Sequence, residues 1–228
     1  GIRLTLDHPE IFLVQVRAML RASVGLTNLQ IMLPMISTVS EVKEAKRLVN
    51  QAYFEICDEV CENGHGLQRP KLGIMLEVPS VLYQLSQLAQ HVDFFSVGSN
   101  DLTQYLLAVD RNNTRVASLY NSYHPAVLAA LNNIVKQANE NAIPVTICGE
   151  IAGEPAGAIL LMGMGYRRLS MNAFNLRKIN WLIRKVTLEE SKHLLSQALN
   201  SVSHEEVFGH LNDYLETKGL GGLIRAGA

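Results

Sequence analysis

Five short apolar and β-branched runs punctuate the chain, at residues 29–36 (LQIMLPMI), 71–78 (KLGIMLEV), 92–99 (VDFFSVGS), 143–150 (IPVTICGE) and 167–173 (RRLSMNA). Most are continuously apolar rather than alternating, as in strands of a parallel sheet covered on both faces. The segments between them carry helical periodicity and predict helices over about 8–23, 39–64, 80–90, 101–108, 125–140 and 155–163. Ser40 ahead of EVKEAKRLVNQAYFEI and Pro125 at the head of HPAVLAALNNIVKQA are helix-start signals. Residues 175–217 predict two or three further helices, with SKHLLSQAL the clearest. The opening GIRLTL reads as a loop remnant or an additional short strand. No linker, repeat or low-complexity segment interrupts the pattern, which predicts one domain over 1–228.

Strand and helix in alternation imply βαβ crossovers and a parallel α/β fold, either a barrel or a doubly wound sheet. No G-x-G-x-x-G follows an early strand, so the dinucleotide-binding fold lacks its main support. A barrel places its chemistry at the C-terminal ends of several strands. This chain has Glu77, then Asn100 and Asp101, then Cys148 and Glu150, then Asn172, each just past an apolar run. Five strands are clear where a complete (β/α)8 barrel has eight, so the strand count by itself falls short of a closed barrel.

Composition removes some functions. With 228 residues the chain is long enough for a sizeable core. The formal net charge of −1 gives no electrostatic case for binding nucleic acid or an anionic membrane surface. No apolar run reaches the roughly 18 residues that span a bilayer. Three cysteines (Cys57, Cys61, Cys148) form no disulfide framework, which favours a reducing, cytoplasmic setting. The first residue is Gly1 rather than methionine, and the expectation is a fragment or processed product.

Glu77 and Asp101 hold the same relative position on consecutive strands, and neighbouring strands are about 4.8 Å apart. Two carboxylates so placed can share one Mg²⁺, a cation usually held by one or two carboxylates plus waters and substrate oxygens. The same spacing suits plain helix starts: Glu77 before the helix after VPS, Asp101 in the first turn of DLTQYLLAV. Asn100 beside a helix N-terminus offers an anion site, and Arg111 a planar, permanently charged clamp for phosphate or carboxylate. A surface salt bridge to Asp110 or a neighbour accounts for Arg111 equally well. Cys148, with Gly149 beside it, can be approached closely by a ligand and can donate or accept a proton; a small buried hydrophobe is the alternative. Cys57 and Cys61, four apart on a helix, read as packing. The seven histidines show no zinc spacing. Gly163 and Gly165 read as a helix C-cap and turn. No G-x-S-x-G elbow and no Walker loop occur.

Four blocks in order, GIMLEVPS, DFFSVGSNDLTQYLLAVDRN, ICGEIAG and LLMGMGYRRLSMN, make the chain resemble the C-terminal phosphoenolpyruvate-binding domain of enzyme I of the bacterial phosphotransferase system. The resemblance covers essentially the whole chain. DHPEIFLVQVRAMLRAS together with VGSNDLTQYLLAVDRNN is similar to the nitrogen-type enzyme I, whose complete form carries an N-terminal GAF domain. The resemblance implies a (β/α)8 barrel of the phosphoenolpyruvate/pyruvate type and a phosphoenolpyruvate-protein phosphotransferase. Such an enzyme passes the phosphoryl group from phosphoenolpyruvate to a histidine on a separate domain, then to a histidine phosphocarrier protein, and releases pyruvate. By motif it implies Glu77 and Asp101 as Mg²⁺ ligands, Asn100 and the backbone around Asp101 as the phosphate site, Arg111 on phosphate or carboxylate, and Cys148 as proton donor to the enolate carbon. It implies a homodimer, and leaves a dimerisation module as the non-catalytic alternative. Pyruvate phosphate dikinase and phosphoenolpyruvate synthase share the barrel and motifs and are the alternative enzymes. Set against the family, the phosphohistidine segment, the first strands of the barrel and the phosphate-clamping arginines have no counterpart in this sequence, so the resemblance implies an N-terminally truncated barrel. The expectation is therefore that the chain alone is inactive, binds phosphoenolpyruvate poorly, and covers its open strand edge with a partner or an altered first segment.

Overall fold

The computed structural model describes residues 1–61 and 66–225. They belong to two compact units, Gly1–Ser96 and Val97–Ala228. All five expected strands are present, the first pairs in parallel with the second and the fourth with the fifth, and the class is α/β.

The first unit holds α1 (Ile2–Asp7), α2 (Pro9–Ala22), β1 (Gln30–Leu33), α3 (Val39–Cys61), β2 (Lys71–Leu76), a 3₁₀ turn (Pro79–Tyr83), α4 (Leu85–Ala89) and the first residues of β3 (Phe94–Gly98). In β1 and β2, Gln30 lies opposite Lys71 and Leu33 opposite Ile74. α2 buries Phe12, Val16 and Leu20, one side chain per turn, and α3 buries Val42, Ala45 and Val49. Outside this seam Arg17 and Arg21 pair with Glu55 and Glu59 at 2.6 and 2.8 Å. Such exposed pairs are worth little each. The Phe94 ring occupies the space a Cβ on Gly73 would need, which is why a glycine interrupts the apolar run of β2.

Three expectations change here. GIRLTL is helix α1, not a loop remnant or strand. The Gly1 and Leu4 carbonyls take the Thr5 and His8 N–H groups, so the backbone is satisfied within the segment. Ser40 is not the cap of α3. Thr38 Oγ1 accepts the Glu41 N–H at 3.3 Å and Glu41 Oε2 accepts the Thr38 N–H at 2.8 Å, a reciprocal capping box two residues earlier. Residues 80–90 form a 3₁₀ turn and α4, not one helix. The expected end of α3, beyond Cys61, falls outside the described residues, as does the Cys61 side chain; Cys57 is half-buried.

The second unit takes up the end of β3 and continues through α5 (Ser99–Leu107), a short 3₁₀ turn (Ala117–Leu119), α6 (Pro125–Glu140), β4 (Val145–Cys148), α7 (Glu150–Gly153), α8 (Pro155–Met164) and β5 (Leu169–Ser170). It ends in α9 (Ala173–Ile183), α10 (Leu188–Asn200), α11 (His204–Thr217) and α12 (Gly222–Arg225). In β4 and β5, Ile147 lies opposite Leu169 and Cys148 opposite Ser170. α6 starts as expected, with Pro125 in its first turn and His124 Nδ1 accepting the Ala126 N–H at 3.1 Å. α8 is apolar all round because nearly every side chain in it is buried. It meets α10 at Gly163, where a Cβ would overlap the Ser191 carbonyl. Gly165 turns the chain out of α8 at φ +105°. Ile159, Leu182, Leu194 and Leu215 form the core beneath these helices.

Candidate functional site

β3 runs directly into α5, with Gly98 as the junction residue, so Ser99, Asn100 and Asp101 form the helix's first turn. β4 runs into α7 through Gly149, which stands at φ +117°. The two corners touch. Ser99 Oγ donates to the Cys148 carbonyl at 2.7 Å, the Cys148 thiol donates to the Val97 carbonyl at 3.3 Å, and Asn100 Oδ1 accepts the Glu150 N–H at 3.1 Å. A Cβ on Gly149 would overlap Ser99 Oγ and lie 2.8 Å from Asn100 Oδ1. Glycine is required there twice over, for its positive φ and for the close approach.

Beside this junction lies a cleft of about 280 Å³ whose wall includes Asn100, Cys148, Gly149, Asn172 and Asn175. Because Asn100 Oδ1 is taken by a backbone N–H, its NH₂ is the group left to donate to a ligand. Asn172 caps α9, accepting the Phe174 N–H at 3.0 Å. Asp101 and Arg111 are both half-exposed, with Oδ1 and Nη2 3.7 Å apart. The Arg111 backbone N–H is held by Gln104 Oε1 at 3.2 Å, so the loop after α5 turns the guanidinium back toward that helix's first turn. Thr103, on the same helix, is fully buried and its hydroxyl has no hydrogen-bond partner. Glu154, just after α7, accepts from Tyr123 at 2.6 Å; burial pushes this phenol well above its ordinary value, so it stays a neutral donor.

Glu77 belongs to the first unit. It follows β2, is 3% exposed, and accepts the Met35 N–H at 2.6 Å. Met35 stands at φ +57°, a costly backbone for a non-glycine residue, held where it meets the carboxylate. The second unit thus brings Asn100 and Cys148 to one cleft and pairs Asp101 with Arg111, the partner being Asp101 rather than Asp110. Ser99, Asn175 and the Glu150 amide were not marked by the sequence reading. Their signal is the run of small and amide residues around each glycine, which gains meaning only when the two corners meet. Among the described residues no group of three or more His, Cys, Asp or Glu side chains is placed to hold a metal ion, and no helix is long and apolar enough to cross a membrane.

Residues 1–188 match the family of PEP-utilising enzymes, PEP-binding domain, and the chain belongs to that family. It is 48% identical over 227 residues to a Salmonella typhimurium protein named phosphoenolpyruvate-dependent phosphotransferase system, covering 100% of this chain and 30% of that one. It is 39% identical over 214 residues to a phosphoenolpyruvate-protein phosphotransferase of Staphylococcus carnosus, covering 94% and 37%. The chain therefore spans about a third of the length of these curated relatives. Among solved structures it is similar to a citrate lyase from Burkholderia xenovorans, with a TM-score of 0.56 at 17% identity, covering 91% of this chain and 69% of that one. That likeness concerns the fold, which is of the TIM-barrel type expected from the sequence.

Proposed function

We propose that the cleft beside Asn100 and Cys148 binds phosphoenolpyruvate, and that the chain is the substrate-binding part of a phosphoenolpyruvate-protein phosphotransferase. The observation that carries this reading is the shared wall: an amide donor at the start of a nine-residue helix and a thiol line one cleft. Asn100 Nδ2 and the backbone N–H groups at the head of α5 suit the phosphate, since a helix N-terminus favours an anion. Arg111, on the Asp101 side of that turn, supplies a second positive group for phosphate or carboxylate.

Asp101 and Glu77 are oxygen donors of the kind Mg²⁺ takes, and Asp101 is accessible enough to serve. Glu77 joins it in this assignment on the strength of the family motif. Mg²⁺ bound there would neutralise charge on the phosphate and on the enolate oxygen. As the phosphoryl group leaves for a histidine supplied by another domain, the P–O bond of the substrate breaks and an enolate remains. Cys148 then gives its proton to the methylene carbon, and the product is pyruvate. The acceptor beyond that histidine is a histidine phosphocarrier protein, and the working protein is a cytoplasmic homodimer.

The test is amide NMR of the chain titrated with millimolar phosphoenolpyruvate and Mg²⁺. Shifts centred on Asn100, Asp101 and Cys148, lost in Asn100→Ala, are the expected result. Shifts confined to other residues, or none, contradict the reading.

A further inference from the structure

The turn that carries Cys148 is held by the neighbouring corner rather than by its own helix. Ser99 is 1% exposed, and its hydroxyl reaches 49 residues along the chain to the Cys148 carbonyl at 2.7 Å. One residue later Asn100 Oδ1 takes the Glu150 N–H. The peptide groups on either side of Gly149 are thus clamped by consecutive side chains, and Gly149 has no Cβ because Ser99 Oγ fills that space. Ser99 is the first helical residue of α5, not its cap, and its hydroxyl spends its bond on another strand's backbone. A serine there for solubility or capping would not be buried and turned inward.

We propose that Ser99 is a positioning residue for the Cys148 thiol. Acting through the Cys148 carbonyl, it fixes the sulfur on the wall that Asn100 also lines, so that proton donor and anion site keep one spacing. The task given to the thiol rests on the proposed function; the clamp itself is a property of the chain without substrate.

The experiment is site-resolved alkylation of the 228-residue chain with iodoacetamide, read by peptide mass spectrometry, with Cys57 in the first unit as internal reference. Ser99→Ala raises the Cys148 rate about five-fold, the weight of one ordinary hydrogen bond, and leaves Cys57 unchanged. Ser99→Thr, which keeps the hydroxyl, returns the Cys148 rate toward that of the unaltered chain. Gly149→Ala also raises it, but adds less in the Ser99→Ala background, where the overlapping hydroxyl is gone. An unchanged Cys148 rate in Ser99→Ala, or equal rises at Cys57 and Cys148 as from general loosening, overturns the proposal. Should Ser99→Ala not fold, amide exchange in the unaltered chain decides. The clamp requires Glu150 N–H to exchange as slowly as Ile147 N–H in β4, and fast exchange overturns it. No arm uses phosphoenolpyruvate, so failure of substrate binding and failure of the clamp read out separately.

Discussion

Asn100 and Glu150, fifty residues apart, are joined by a hydrogen bond of 3.1 Å from the Glu150 backbone N–H to the Asn100 side-chain oxygen. That bond decides which end of the amide faces the cleft. It leaves the NH₂ as donor and makes Asn100 suited to an anion, not a cation.

Asn100→Asp keeps an acceptor for Glu150 but removes the donor and adds a negative charge. A hydrogen bond to a charged group is worth more than a neutral one, so phosphoenolpyruvate binding weakens roughly ten-fold or more. Titration followed by amide NMR checks this, with the unfolding midpoint expected near that of the unaltered chain. Equal binding by both proteins would remove Asn100 from the site.

Gly149→Ala forces a Cβ into Ser99 Oγ at φ +117°. Strain of this kind costs on the order of 1–3 kcal/mol, read as a lower urea midpoint at constant slope.

Gly163→Ala reverses the usual helix rule. In an exposed helix the change to alanine stabilises by up to about 1 kcal/mol. Here the added methyl meets the Ser191 carbonyl of α10, and overpacking of a buried contact costs about 1–3 kcal/mol. Urea unfolding should show a net loss.

Glu190 is held down to about 2, from an ordinary 4.5, by Lys218 first and then by Thr187 and Tyr214. The Thr187 hydroxyl is 3.0 Å away and the Tyr214 hydroxyl 3.1 Å, with Lys218 Nζ in contact. A carboxyl depressed on folding stabilises the protein above its unfolded value and loses that contribution as protons bind in the native state. The share of stability due to Glu190 is thus present above about pH 4.5 and lost between there and about pH 2. Glu190→Gln should flatten the stability-against-pH curve across that window, with little further change at lower pH.

Much of this architecture was visible in the linear order. The five strands showed because each is a short apolar run between helical stretches, and α6 kept its expected bounds because Pro125 and His124 mark its start. GIRLTL misled because Ile2, Leu4 and Leu6 alternate with Arg3 and Thr5 as in a strand, while only Ile2 is buried and the backbone bonds close within the segment. Ser40 misled because Thr38 forms an equally good capping box two residues earlier. In the site, Asn100, Asp101 and Cys148 stood out as polar groups beside strand ends, and Arg111 as a cation further along the same stretch. Ser99 did not, since a serine gains its role only from a carbonyl 49 residues away, which no local pattern encodes.

The most direct measurement is protection of Cys148 from alkylation by phosphoenolpyruvate with Mg²⁺. Binding in the cleft it shares with Asn100 predicts a slower Cys148 rate that saturates with ligand, an unchanged Cys57 rate, and no protection in Asn100→Ala. Ligand-independent alkylation of Cys148, or equal slowing at Cys57, would contradict it.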